Sequence, residues 1–333
     1  MSFLSIIHND FSHFLLVTIF LIGLNSLLTV LSFLVGGKSS VLERNSDFNF
    51  GTLNLFDQIT HQGGTWALVL SLFLCPLAAF FSATNDRLAP SIRLLLIAEN
   101  LNKFIFVITN TLGTFCVNEQ PFPLDCPEVL ITYWQQVNIF LHGYDFVTAA
   151  KYCQLMISLS RFFAVSFDGR YFRSTQKWSW VQLLIPNIAT LGLVLINELV
   201  GSTDTCLHSY IYPGVLLIMC SLDAVTGHKM THLRKHGKVS KAEGLLMLQM
   251  LSSTVVILIS TIGSVLVLLL IELFATNLLI YMFYHSLLPL SDSFLFIFLQ
   301  SLIMIFCLRK RKDKKRISKV STANEFRPVT RVR

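Results

Sequence analysis

Five stretches of this chain carry no Asp, Glu, Lys or Arg over a length that approaches or exceeds one membrane crossing. They lie at residues 11–37, 58–85, 178–197, 205–222 and 244–271. A transmembrane helix needs about 20 consecutive apolar residues with few or no charges. A helix in a soluble core needs only one apolar face, so it has no reason to lack charges over such a length. The spacing of the charges therefore predicts an all-α, multi-pass membrane protein.

The apolar stretches, taken with their flanking residues, predict a bundle of seven transmembrane helices. The expected spans are residues 12–35, 54–82, 134–166, 178–200, 207–227, 245–272 and 279–307. This places a short extracellular amino terminus at 1–11, the seven-helix domain at 12–307 and a basic cytoplasmic tail at 308–333. No internal repeat or Gly- and Ser-rich linker divides the chain further.

The distribution of basic residues predicts the orientation of this bundle. Cytoplasmic segments of membrane proteins carry the excess of Lys and Arg. With seven spans, 22 of the 26 basic residues fall on one face, and eleven of them belong to the tail from Arg309 onward. The amino terminus is therefore expected outside the cell and the carboxyl terminus inside. A basic cluster directly after a helix also attracts the anionic inner leaflet.

One long connection, residues 84–133, separates the second and third predicted spans. Part of it, 92–117, is apolar enough to suggest an eighth span, but Arg93, Glu99 and Lys103 interrupt its first half. An eighth span would also place the basic residues at 38–44 opposite the later basic loops. The segment is therefore predicted to be exterior or interfacial.

The end of the third predicted span carries the most specific motif, Ser160-Arg161-Phe162-Phe163-Ala164, with Tyr171 shortly after it. This string resembles the Asp-Arg-Tyr region of rhodopsin-like G-protein-coupled receptors. It is most similar to nematode serpentine chemoreceptors of class x, whose pattern resembles Asn-Arg-Phe-x-Ala followed by Pro-x-x-Tyr. Further similar stretches are Phe50-Gly51-x-Leu53 with Pro76 in the second span, and Glu243 with Gln249 in the sixth.

The resemblance implies a chemosensory receptor in the plasma membrane or a sensory cilium. Such a receptor binds a small molecule within its helices and activates a heterotrimeric G protein, here through Arg161, Phe162 and Tyr171. The chain departs from the pattern at Ser160, where an acid is usual, and at Asp168, where a proline is expected. Without a local carboxylate, Arg161 is expected to be held loosely, which favours signalling in the absence of ligand.

A polar stripe runs along the same span, because Lys151, Gln154, Ser158 and Arg161 fall on one helix face. An ammonium group in mid-membrane is costly unless it is paired. Candidate counter-ions for Lys151 on other helices are Asp57, Asp223 and Asp292, whereas Asp145 lies about 120° around the helix from Lys151.

These charged residues allow two interpretations. Lys151, Asp57, Asp145 and Asp292 are candidate ligand-binding or switch residues. The alternative is an internal ion pair that fixes helix packing and has no part in signalling.

The resemblance also implies a disulfide on the outer face of the bundle. Cys126, before the third span, and Cys206, before the fifth, are the expected partners. Cys116 is a competing partner, because it lies in the same long connection as Cys126.

Other classes of function find less support in the sequence. The nine histidines are scattered, and no zinc-protease, Cys-x-x-Cys or phosphate-loop motif occurs. We therefore predict no catalytic set, no metal site, no cofactor and no nucleic-acid partner. The alternative function is a small multi-pass transporter or channel, a class that commonly shows internal repeats.

Overall fold

A computed structural model describes most of the chain in nine ranges. They are residues 3–39, 50–86, 88–116, 126–142, 144–166, 177–200, 212–235, 241–274 and 290–309. Tyr171, Cys206 and the tail beyond residue 309 lie outside the described residues.

Regular structure in these ranges is helical throughout, and we number the described helices α1 to α9. They are α1 (Phe3–Ser39), α2 (Phe50–Ala83), α3 (Pro90–Cys116), α4 (Glu128–His142), α5 (Phe146–Ser166), α6 (Ser179–Val200), α7 (Tyr212–Lys235), α8 (Lys241–Phe274) and α9 (Ser291–Leu308). Helix α9 is π-helical over Ser291–Leu299 and α-helical over Gln300–Leu308. Helix α2 begins at Phe50 and contains Pro76, as the sequence pattern indicates.

Four of the described helices are long and apolar enough to cross a membrane. The candidate spans are Phe11–Leu31 in α1, Asn54–Ala83 in α2, Ser179–Ile196 in α6 and Ser291–Leu308 in α9. Hydroxyl groups within two of these spans are satisfied locally, since Thr18 and Ser71 each donate to the carbonyl four residues earlier. Backbone and side-chain polar groups satisfied within a helix are what a bilayer requires. The prediction of a helical membrane protein is met at this level.

Helix contacts close a ring in the order α2, α3, α5, α7, α8, α9 and back to α2. Helix α6 packs outside the ring against α3 and α5, and α4 packs against α3. Helix α1 packs outside it against α7 and α8, and little of its apolar span is buried in the protein. The centre of the molecule therefore lies among the six ring helices.

The expectation for residues 92–117 is wrong, because α3 is a ring helix packed against α2 and α5. Two of the three charges that interrupt this segment, Glu99 and Lys103, do not face lipid or water. Glu99 and Lys103 are one helical turn apart, and their side chains bond to each other at 2.7 Å in the interior. An ion pair buried in protein removes the cost that made a crossing implausible.

The expected helix 134–166 is also wrong in its bounds, because the chain divides it into α4 and α5. Asp145 lies between them and caps α5. Its Oδ1 accepts hydrogen bonds from the backbone N–H groups of Val147 and Thr148, both at 3.1 Å, and its Oδ2 accepts the Thr148 hydroxyl. A carboxylate at this position satisfies orphan donors of the first helical turn. Asp145 therefore has a structural partner in its own helix.

The two ends of the described chain lie at the same end of the bundle. Phe14, near the start of α1, contacts Phe162, near the end of α5, with ring centroids 5.8 Å apart. Leu308, at the end of α9, belongs to a core cluster with Ile92 of α3 and Ile157 of α5. The prediction that the amino terminus and the Arg161 end of its helix lie on opposite faces is therefore not met.

Candidate functional site

Charged and amide side chains from α3, α5, α7, α8 and α9 meet in the interior of the ring. They form three linked groups around Glu99, Lys151 and Arg161. In a membrane helix, buried ionisable residues are rare and mark functional positions. We take this polar interior as the candidate site.

The first group is centred on Glu99 and Lys103 of α3, whose exposed fractions are 1% and 0%. Lys103 Nζ donates to Glu99 Oε1 at 2.7 Å and to Gln300 Oε1 of α9 at 2.9 Å. Glu99 Oε1 also accepts from Gln154 Nε2 of α5 at 2.7 Å. One ion pair thus joins three helices through charge-assisted hydrogen bonds, which are stronger than neutral ones.

The second group confirms Asp292 as a counter-ion of Lys151. Lys151 Nζ lies 3.1 Å from Asp292 Oδ1, and the Asp292 side chain is 36% exposed while Lys151 is buried. Phe296, one of the most deeply buried side chains, links this pair to the first group. Its ring centroid lies 4.9 Å from Lys151 Nζ and 4.4 Å from Lys103 Nζ, within the range of cation–π attraction.

Asp57 is half-buried on α2, where its carbonyl oxygen accepts a hydrogen bond from the Thr60 hydroxyl at 2.9 Å. The structure places Asp292, from α9, at the Lys151 ammonium. A role of Asp57 in ligand binding or switching stays a prediction.

The third group surrounds Arg161, which is buried, with an exposed fraction of 7%. The sequence predicted an arginine that faces the cytoplasm. Instead its guanidinium interacts electrostatically with Asp223 of α7. Asp223 Oδ2 accepts the hydroxyl of Thr254 of α8 at 2.6 Å. Asp223 thus brings a carboxylate from another helix to the cavity that Arg161 lines.

A cavity of about 30 Å³ lies between the first group and the third. Its lining residues come from α3, α5, α7 and α8. They are Leu96, Glu99, Gln154, Ile157, Ser158, Arg161, Met219, Asp223, Gln249, Met250 and Ser253. Three members of the predicted polar stripe thus share one cavity, whereas Lys151 belongs to the Asp292 group.

Phe162 does not present a free surface for a partner protein. It is buried, and its ring packs against Phe14 of α1 and Phe163 of its own helix. In this arrangement α1 covers Phe162, and a role of Phe162 in G-protein coupling stays a prediction.

The disulfide differs from the predicted Cys126–Cys206 pair. Cys116, the last residue of α3, is bonded to Cys126, which precedes α4. The bridge holds α4 at the end of α3, where Trp134 Nε1 donates to the carbonyl of Thr109 at 3.0 Å. The bonded cysteines are therefore the two that lie in the same connection, ten residues apart.

The sequence did not predict that Glu99, Lys103 and Gln300 meet in the interior of the ring. One signal could have found the first two: an acid and a base four residues apart in an otherwise apolar segment form a helical ion pair. No sequence pattern joins Gln300 to them, because the contact spans 197 positions.

Neither protein-family models nor curated protein sequences match this chain. The case for its function therefore rests on the geometry of the polar interior and on the sequence motif at the end of α5.

Proposed function

We propose that this chain is a chemosensory receptor that couples a small-molecule ligand to a heterotrimeric G protein. One observation carries the proposal: Arg161 of the Ser160-Arg161-Phe162 motif lies buried at the end of α5 and lines one cavity together with Asp223 of α7. An arginine attracted to a carboxylate on a neighbouring helix can separate from it when those helices move apart. Such a two-state element is what a receptor needs to convert binding into signalling.

We propose that the receptor bundle consists of seven helices: α2, α3 and α5 to α9. Helix α1 is then an additional amino-terminal span that begins on the cytoplasmic face. In this arrangement 22 of the 26 basic residues still lie inside, and only Lys38 and Arg44 lie outside. The positive-inside rule therefore supports this topology as well as the one predicted without α3.

Ligand binding is proposed toward the end of the ring opposite Arg161. Lys151 lies ten residues before Arg161, about 15 Å along α5. Its pair with the partly exposed Asp292 joins α5 to α9. A ligand that competes for either charge would change the contact between these helices. Lys151 and Asp292 are thus the favoured ligand or switch residues.

Loss of the Asp223 carboxylate tests the proposal without a known ligand. Asp223→Asn should raise ligand-free G-protein activation, by roughly tenfold for each 1.4 kcal/mol that the Arg161 contact contributes to the inactive state. Adding Ser160→Asp in the same chain should lower the activity again by giving the guanidinium a local partner. Arg161→Gln should abolish activation, with or without Asp223→Asn.

The measurement is G-protein activation in cells that co-express a promiscuous G protein, divided by surface density. Glu128→Gln is the matched control, because it removes an exposed acid on α4 that does not line the Arg161 cavity. Equal activity of Asp223→Asn and wild type at equal surface density would reject the proposal that Asp223 holds the receptor inactive through Arg161. Normal signalling by Arg161→Gln would reject the receptor assignment.

A transporter or channel is the second candidate, favoured by the number of buried charges. Arg161, Glu99 and Lys103 are each more than nine-tenths buried, and such residues also mark ion pathways. Purified protein in liposomes would then carry ion or proton flux that Glu99→Gln abolishes. The receptor proposal expects no flux above that of empty liposomes.

A further inference from the structure

Three buried oxygen atoms around the cavity lack a hydrogen-bond donor. They are Asp223 Oδ1, Gln154 Oε1 and Gln249 Oε1, on α7, α5 and α8. Their side chains are each more than nine-tenths buried, and all three line the same cavity. Buried acceptors without donors are costly, and proteins rarely leave three around one space.

Hydrogen bonds to neighbouring side chains fix two of these three groups. Gln154 Nε2 donates to Glu99 Oε1, an acceptor-only carboxylate, so the amide orientation is set and Oε1 is the atom that remains. Asp223 Oδ2 accepts the Thr254 hydroxyl, which leaves Oδ1 for the cavity. Gln154 and Asp223 are therefore held in place before any ligand arrives.

The chemistry of these atoms selects the ligand. Carboxylate and amide oxygens suit hard cations. The cavity of about 30 Å³ has room for one such ion and a water molecule. Glu99 is already neutralised by Lys103, so Asp223 is the single carboxylate available. Divalent calcium prefers six to eight oxygen ligands that include several carboxylates. We propose that this cavity binds a small monovalent cation, with Asp223, Gln154 and Gln249 as protein ligands.

The cation and Arg161 compete for one carboxylate. Two positive charges beside Asp223 repel each other strongly in a low-dielectric interior. Binding of the cation therefore favours release of the guanidinium toward the membrane surface, which a long arginine side chain can reach. The coupling is reciprocal, so removal of the Arg161 charge should tighten cation binding. This inference does not depend on the proposed receptor function.

The test is thermal unfolding of the purified full chain in detergent at constant ionic strength, with choline chloride replaced stepwise by sodium or potassium chloride. The wild type should show a saturable rise in Tm. Gln249→Leu and Asp223→Asn should raise the half-saturating concentration by about tenfold or more, and Arg161→Gln should lower it. Shifts of the half-saturating concentration in opposite directions distinguish ion binding from a general loss of stability. Glu128→Gln, on α4 and outside the cavity, should leave the titration unchanged.

Two outcomes would overturn the inference. Equal Tm in choline, sodium and potassium chloride would mean that water alone fills the cavity. A cation-dependent rise that persists unchanged in Asp223→Asn would place the ion elsewhere in the protein.

Discussion

At the scale of single residues, pairing decides which charges this chain can hold inside a membrane. Glu99 and Lys103 are nearly inaccessible, yet each has a partner of opposite charge and an amide from another helix. Lys151 likewise pairs with Asp292, and Arg161 lines one cavity with the carboxylate of Asp223. Such pairs add little net stability but are costly to break, because removal of one partner leaves an uncompensated charge.

This asymmetry gives a prediction for the α3 pair. Lys103→Met should lower the free energy of unfolding by about 3–5 kcal/mol, because the Glu99 carboxylate would stay buried without its ammonium partner. The double variant Lys103→Met with Glu99→Gln should recover most of the loss. Thermal unfolding in detergent measures both. If Lys103→Met unfolds at the wild-type temperature, the pair is not buried as described.

At the scale of elements, α3 and α4 form one unit at the end of the ring opposite Arg161. The Cys116–Cys126 bridge joins them covalently, and the Trp134 side chain lies directly over Gly113. A Cβ added at Gly113 would lie 2.5 Å from Trp134 Cζ2. A glycine is therefore required there for the indole to reach the Thr109 carbonyl.

Gly113→Ala should loosen α4 without unfolding the bundle. The alanine displaces the indole and breaks its hydrogen bond, a loss of about 1 kcal/mol. Backbone hydrogen exchange in 128–142 should then be faster by about fivefold, as followed by mass spectrometry. Gly192→Ala on α6 is the matched control, since a Cβ there meets no atom within 4 Å. Unchanged exchange in Gly113→Ala would argue against the docking of α4 on α3.

At the scale of the whole molecule, the contacts fix which ends of the helices lie together. The start of α1, the end of α5 and the end of α9 share one face of the bundle. Together with the basic tail after Leu308, this places both termini on the cytoplasmic side in the proposed topology. The predicted exterior amino terminus followed from leaving α3 out of the bundle.

Epitope tags test this arrangement directly. A tag before Met1 and a tag after Val332 should both be stained only after permeabilisation, because an even number of spans separates them. A tag inserted between residues 117 and 125 should be stained on intact cells and serves as the control. Staining of the amino-terminal tag on intact cells would restore the seven-span topology without α3.

The sequence by itself determined the class of the fold and many of its parts. Stretches without charges are long because lipid excludes charge, so α1, α2, α6 and α9 could be read from composition alone. The polar stripe on α5 followed from helical periodicity, and Asp292 was among the partners named for Lys151. These inferences need only local chemistry and the solvent that surrounds the chain.

The tertiary structure decided the place of α3, the partner of Arg161 and the disulfide. A charge in an apolar segment argues against a membrane crossing until its partner is known. Lys103 bonds to Gln300, which is distant in the sequence, and Arg161 shares a cavity with Asp223 of another helix. Which helices meet depends on how all their side chains pack together, which no single segment encodes. The charges of α3 argued against a crossing in the sequence because their desolvation is costly. In the folded ring the same charges hold helices together, because each is buried against its counterpart.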